Sequence, residues 1–330
     1  MKSVLSYIKK DWKFILTIIV VFLICTVKLP YSIYAPGGKI DLSDRYENEL
    51  YKTNGSLNIT YISSYPGTLP ILLISKIIPN WDIVKNDDIK YTNETMKDSV
   101  KRDEILNESA NSNSIYVGYT KAGYDVNITN KKIYVTYIHE DAKTDLKIGD
   151  QIIEVDNVVF EDHLKLAEYI KSKDYDTKVN FKVIRDNKTI DCYGILTNIK
   201  DLKVIGISFN IIYEYNNNPD ITYKNKRNEL GPSGGLMMAL YIYNSLTEED
   251  ITKGYEIAGT GTIDIDGKVG EIDGVKYKMI GAYKKGVRIF IVPEENYEDA
   301  IKVKEENKYD INVISVSTFD DALNKLKELK

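Results

Sequence analysis

Cysteine, histidine and tryptophan are nearly missing from this chain, with two of each in 330 residues. Cys25 and Cys192 stand far apart and in no metal-ligand spacing, which excludes a disulfide framework and a zinc site. No histidine pattern accompanies either one, so a catalytic cysteine is set aside as well. His139 and His163 read as surface residues rather than as ligands, and both lie well upstream of the serine motif described below. A Gly-x-x-x-x-Gly-Lys-[Ser/Thr] phosphate loop is absent. Gly261 and Gly267-Lys268 have the wrong spacing, and Val269 follows the lysine, so ATP is not expected as a ligand. Positive charge is not in excess either: 44 Lys and Arg against 49 Asp and Glu leave a net charge of −5, which argues against nucleic acid as the main partner. No cofactor and no metal are expected, and neither internal repeats nor low-complexity stretches occur.

What is present is ordinary folded-protein composition, 43% hydrophobic and 28% charged, in a chain long enough for two domains and an anchor. Phe14 to Val27 is apolar apart from two threonines, and Leu29 to Ala35 continues mostly apolar. Lys2, Lys9, Lys10 and Lys13 precede the run, opposed only by Asp11. The expectation is a transmembrane anchor with its tip in the cytoplasm and everything after Lys28 on the extracytoplasmic side of the cell membrane. The core is short for a span of about 20 residues, with Lys28 placed to snorkel and the flanking tyrosines placed as interface anchors. A cleaved signal peptide is the rival reading, and the lack of an Ala-x-Ala site favours an uncleaved anchor.

The chemistry concentrates in Gly231-Pro232-Ser233-Gly234-Gly235, followed by the apolar run Leu236 to Leu240. This reads as a hydroxyl on a turn that opens a buried helix. Proline suits such a start, and the helix N-terminus offers N–H groups and partial positive charge to an oxyanion. Serine is a weak nucleophile until a base takes its proton. With the histidines upstream, lysine is the base of interest. Helical spacing leaves two lysines open. Val275, Met279, Ala282 and Tyr283 define a face on which Lys276 sits at least as well as Lys278.

After the serine helix come Thr260-Gly261-Thr262-Ile263, Gly267-Lys268-Val269 and Asp273-Gly274-Val275-Lys276-Tyr277-Lys278, then Ala282, Gly286 and Pro293. This succession resembles the proteolytic domain of Lon-type serine proteases, which carry Gly-Pro-Ser-Ala-Gly, a Thr-Gly strand and a Gly-Leu-Lys-x-Lys helix start. The resemblance implies Ser233 as nucleophile and Lys278 as base of a Ser-Lys dyad. It implies support from Thr260 beside the lysine amine and from Gly231 and Gly234 at the turn. Gly234 replaces the usual alanine, and Leu230 stands where true Lon proteases have aspartate, which marks a divergent branch.

Residues 130–196 have a different signature. Ile133 to Ile138 reads as a strand, and Leu146-Lys147-Ile148-Gly149-Asp150-Gln151-Ile152 as a turn before a core strand. A helix from His163 to Lys171 and a strand pair, 178–185 and 189–196, complete the unit. The Leu-Lys-x-Gly-Asp-x-Ile run resembles bacterial PDZ domains, which bind extended peptide ends by strand addition. A PDZ fold that only packs or gates is the plainer alternative. Upstream, Leu57 to Ile62 reads as a strand and Thr95 to Leu106 as a polar helix ending near Asn107. Both belong to Lon-like domains, so the PDZ unit is expected as an insertion.

The expected architecture is α/β (α+β). It divides into a tip and anchor (1–35), a first part of the Lon-like domain (36–122), the PDZ domain (123–199) and the catalytic remainder (200–330). As a whole the chain resembles membrane-anchored PDZ-domain Lon-like proteases of the YlbL type. The resemblance implies an ATP-independent serine endopeptidase acting on unfolded or exposed protein segments, with peptides and the membrane as partners. It also brings homo-oligomers into view, because Lon-type domains form rings. The other function carried forward is a catalytically inactive, membrane-anchored PDZ scaffold.

Overall fold

The computed structural model describes residues 2–160, 163–224 and 230–329, without the side chains of residues 2–10 and 163. The expected surface role of the His163 side chain therefore lies outside the described residues.

Helix α1, Lys2–Thr26, bends at Asp11, where φ is −111° and ψ 18°. From residue 11 to residue 26 every side chain is exposed. The expected transmembrane helix is not supported: among the described residues no helix is long and apolar enough to cross a membrane. The physical reason is length. Phe14 to Val27 spans only about 20 Å of helix, against about 30 Å of hydrocarbon.

Strands β1 (Tyr31–Asp41) and β2 (Ser56–Pro66), helix α2 (Leu69–Ser75), strand β3 (Asp82–Lys85) and helix α3 (Met96–Lys121) come before the middle unit. That unit holds β4 (Ile128–Ile138), β5 (Gln151–Val155), α4 (His163–Ser172), β6 (Lys178–Arg185), β7 (Lys188–Ile195) and β8 (Ile207–Tyr215). Behind it lie α5 (Gly235–Leu246), β9 (Glu256–Gly259), α6 (Val275–Lys284), β10 (Ile289–Pro293), α7 (Tyr297–Asn307), β11 (Asn312–Val316) and α8 (Phe319–Lys327).

One sheet joins the two outer stretches, in the order β11-β10-β9-β2-β1-β3. The first four strands run parallel, with Ile257 opposite both Leu57 and Ile289; β1 runs antiparallel to β2, and β3 antiparallel to β1. Every residue of β10 is buried, as a strand covered on both faces requires. The middle unit thus interrupts a sheet built from both sides of it.

Helix α5 is buried from end to end. The long helix α3 packs against it through small residues: a side chain at Gly118 would meet Ile242 at 2.6 Å, and Ser114 Oγ donates to Gly235 O at 2.8 Å. Helix α3 starts on a capping box, Thr95 with Asp98, and runs to Lys121 rather than stopping near Asn107. Its second half is rich in serine and asparagine, yet Ser109, Ala110, Ser112 and Ser114 are buried.

The middle unit is an antiparallel sheet, β8-β4-β5-β6-β7, with the short strand Lys143–Thr144 at its far edge. Its core is Val135, Leu166, Val179, Phe181 and their neighbours. Gly149 turns the chain at φ +92°, and the buried Asp150 accepts from Lys147 N–H at 2.7 Å and pairs with Arg185 at 2.6 Å. This sheet runs past residue 199, because β8 pairs with β4, Ile211 opposite Ile133. The outer edge of β8 lies along α3: Ser109 Oγ donates to Ile211 O at 2.8 Å and Tyr213 N–H to Ser112 Oγ at 3.4 Å. A strand can add only to an open edge, and this stretch of edge is taken.

Candidate active site

The turn before α5 is clamped from two sides. Gly231 sits at φ +83°, a conformation that strains any side chain. Its N–H donates to Asp103 O at 3.1 Å, and Asn107 Nδ2 donates to its carbonyl at 3.3 Å. Gly235 N–H closes the turn onto Pro232 O at 3.1 Å. The Ser233 carbonyl accepts twice, from Gly261 N–H at 2.8 Å and from Thr260 Oγ1 at 3.0 Å. Two bonds on one carbonyl fix the backbone of the half-buried serine. Gly234 has φ −90°, and a methyl there would lie 3.3 Å from Ile59 Cγ2, so alanine fits with a small adjustment. Leu230 is exposed beside the turn.

The lysines of α6 part company here. Lys278 is 4% exposed, and its Nζ donates to Thr260 Oγ1 at 3.2 Å. Thr260 is fully buried at the end of β9, its N–H bonded to Ile291 O at 3.0 Å. One hydroxyl therefore ties the lysine amine to the serine carbonyl. Burial lowers the Lys278 pKa to about 8, against the opposing pull of the Asp273 carboxylate. Lys276 is half-exposed and pairs with Asp82 on β3 at 2.6 Å, where Tyr277 Oη also donates at 2.8 Å. Helical spacing cannot separate these two lysines; depth does.

Helix α6 reaches this depth through glycines. Gly274 opens it in the left-handed region, φ 71°, where a side chain would press on Ile62 at 2.2 Å. Gly281 faces β1, and a methyl there would meet the Gly37 carbonyl carbon at 2.8 Å. The ladder between β1 and β2 shifts register between Pro36 and Gly38, at this crossing.

Several residues escaped sequence reasoning. Asp103 and Asn107 hold the turn with no motif of their own, and Asp273 stands in the run that ends at Lys278 without its charge on the amine being read from it. Tyr34 on β1 meets Tyr277 edge-on at 6.0 Å between ring centroids. Burial raises its hydroxyl pKa, and the charges of Asp273 and Asp103 raise it further. Elsewhere, His139 Nδ1 accepts from Asp141 N–H at 3.2 Å in a turn after β4. Cys192 is buried in the middle unit and Cys25 exposed on α1. Among the described residues no group of His, Cys, Asp and Glu is placed to hold a metal ion.

Residues 227–328 match the family model of the Lon protease (S16) C-terminal proteolytic domain, and residues 115–192 match that of the PDZ domain. The chain thus contains a Lon protease proteolytic domain, a family that implies a serine-type peptidase, and a PDZ domain. The Lon protease of Campylobacter concisus is 39% identical over 94 residues, 28% of this chain and 11% of that protein. The Lon protease of Chloroflexus aggregans is 34% identical over 92 residues, again 28% and 11%. The match thus spans 11% of the length of these curated relatives. The solved PDZ domain of an SdrC-like protein from Listeria innocua is 30% identical, with a TM-score of 0.22, over 24% of this chain and 92% of that one.

Proposed function

We propose that the chain is a serine endopeptidase with Ser233 as nucleophile and Lys278 as general base. The observation that carries this reading is the buried Lys278 amine, bonded to the same Thr260 hydroxyl that holds the Ser233 carbonyl. A pKa of about 8 keeps an appreciable share of the amine neutral near neutral pH. The neutral amine takes the Ser233 hydroxyl proton as Oγ attacks the peptide carbonyl. Backbone N–H groups of the turn near Ser233, ahead of the Gly235 and Leu236 N–H groups that are bonded to Pro232 O and Gly261 O, receive the oxyanion. The ammonium then protonates the leaving amine as the C–N bond breaks. Water, deprotonated by Lys278, hydrolyses the acyl-enzyme and frees the acid. Thr260 holds the amine on line, and the glycines at 231 and 234 keep the turn tight.

The absence of a phosphate loop supports hydrolysis without ATP. Substrates are then unfolded chains or exposed segments, with the PDZ unit as the element that recruits or gates them. The same reading attaches the chain to the cell membrane through Phe14 to Val27, the shortfall in apolar length being met by a snorkelling Lys28 and local thinning of the bilayer, with the catalytic body on the extracytoplasmic side. Its support is the apolar run and the lysine excess before it. Ring-like self-association has the family resemblance as its only support.

The purified chain is expected to cut a fluorogenic peptide and unfolded casein without nucleotide. Ser233→Ala is expected to lose turnover while keeping its melting temperature. Turnover at the wild-type rate in Ser233→Ala overturns the assignment. No turnover in either protein, with no acylation of Ser233, leaves the inactive scaffold. Degradation of the catalytic body by protease added to intact protoplasts tests the side of the membrane, and protection until lysis reverses it.

A further inference from the structure

Helix α2 and the loop after it expose five large apolar side chains close together in sequence. Leu73 is 57% and Ile77 82% exposed, and Leu69, Ile74 and Ile78 are exposed beside them. At the rim, Trp81 stacks on Tyr65 with ring centroids 5.2 Å apart, and Lys76 stands exposed. This face is continuous with α1. The two helices touch, Leu29 N–H donates to Gly67 O at 2.8 Å just before α2, and Asn86 N–H to Pro30 O at 3.1 Å just after β3. From Phe14 to Ile24, α1 is exposed all round and apolar except at Thr17, whose hydroxyl donates to the Lys13 carbonyl of its own helix; this is the pattern of a helix whose surroundings are not water.

We propose that α2 and residues 77–81 form a second membrane contact, lying in the headgroup–acyl boundary beside the point where α1 joins the body. The proposal rests on the membrane attachment argued above and adds a surface to it. Lipid is favoured over a second copy of the chain because the patch continues the apolar surface of α1. Its rim also has the chemistry of an interfacial helix, with stacked Trp and Tyr and a neighbouring lysine. Asp82, which binds Lys276 and Tyr277, directly follows Trp81, so the contact ties the start of α6 to the bilayer surface.

The test uses the full chain with Trp12→Phe, which leaves Trp81 as the sole tryptophan. The chain is reconstituted in vesicles of phosphatidylcholine and phosphatidylglycerol, with bromine on shallow acyl positions in one set. The expected result is a blue-shifted Trp81 emission that loses much of its intensity in brominated vesicles. Adding Ile77→Glu is expected to restore that intensity while the chain still floats with the vesicles. A chain that floats while Trp81 is quenched by aqueous acrylamide and not by bromolipid overturns this contact and spares the anchor. A chain that does not float overturns both. Protection from both quenchers, with sedimentation as a dimer, gives the face to a second copy and overturns the lipid proposal.

Discussion

Residues 230–329 and residues 31–121 lay down one sheet between them, yet they carry unlike things. The rear segment supplies Ser233, Thr260 and Lys278, each within a short recognisable run. The front segment supplies no bond to Lys278, but it supplies what surrounds it: Asp103 and Asn107 hold the Gly231 turn, Asp82 takes Lys276, and Gly37 lets α6 settle. Reactive groups lie close together in sequence. Their depth and spacing are set by a stretch far from them along the chain.

The sharpest test of that division compares the two lysines. Lys278→Ala is expected to lower peptide turnover by at least about 100-fold, the usual worth of a general base. Lys276→Ala removes only a half-exposed ion pair, worth about 0–1 kcal/mol, and is expected to stay within a few-fold of wild type. The opposite ranking, measured with one fluorogenic peptide, would assign the base to the wrong lysine.

Burial of Lys278 also has a sign for stability. Its folded pKa, about 8, lies below the unfolded value, so the folded state resists the proton that the unfolded chain holds. The penalty is full below about pH 8 and disappears as pH rises to the unfolded value of about 10.4. Lys278→Met is therefore expected to melt higher than wild type near pH 7, by about 3 kcal/mol at most. The gap should close towards pH 10. A gap independent of pH would mean that the amine is not desolvated.

In the front segment, a methyl at Gly37 would sit 2.0 Å from Tyr61 O. Gly37→Ala is expected to cost about 1–3 kcal/mol by overpacking, and to lower turnover by shifting α6. Unchanged melting and turnover would show that β1 does not set the depth of Lys278. The smallest effect is expected at the turn itself. Gly234→Ala adds a methyl 3.3 Å from Ile59 and 3.6 Å from Met238, and is expected to change stability by less than about 0.5 kcal/mol with turnover near wild type. A large loss there would mean that the turn has less room than its geometry indicates.

How far the sequence could be read follows the same division. The serine turn and α5 were legible because a glycine-rich, proline-marked start meets an apolar run. The strands β10 and β11 and the helix α8 were legible from period and length. Helix α3 was half legible: its packing face is serine, alanine and glycine, which looks solvated until α5 is placed against it. Lys276 and Lys278 were undecided by spacing, because depth depends on Thr260 and on β1, which no periodicity encodes. Asp103 and Tyr34 left no signal, since their proximity to the site arises from tertiary packing. The edge of β8 was invisible for a similar reason, as its partners Ser109 and Ser112 belong to the body and not to the middle unit.

The most direct measurement is acylation of the intact chain by a fluorophosphonate probe, followed by mass spectrometry across pH, in wild type and in Lys278→Ala. The expected result is one adduct, on Ser233, whose rate of formation climbs through about pH 8 in wild type and loses that limb in the variant. An adduct on another residue, or labelling of Ser233 that neither pH nor Lys278→Ala alters, would contradict a serine activated by a buried lysine.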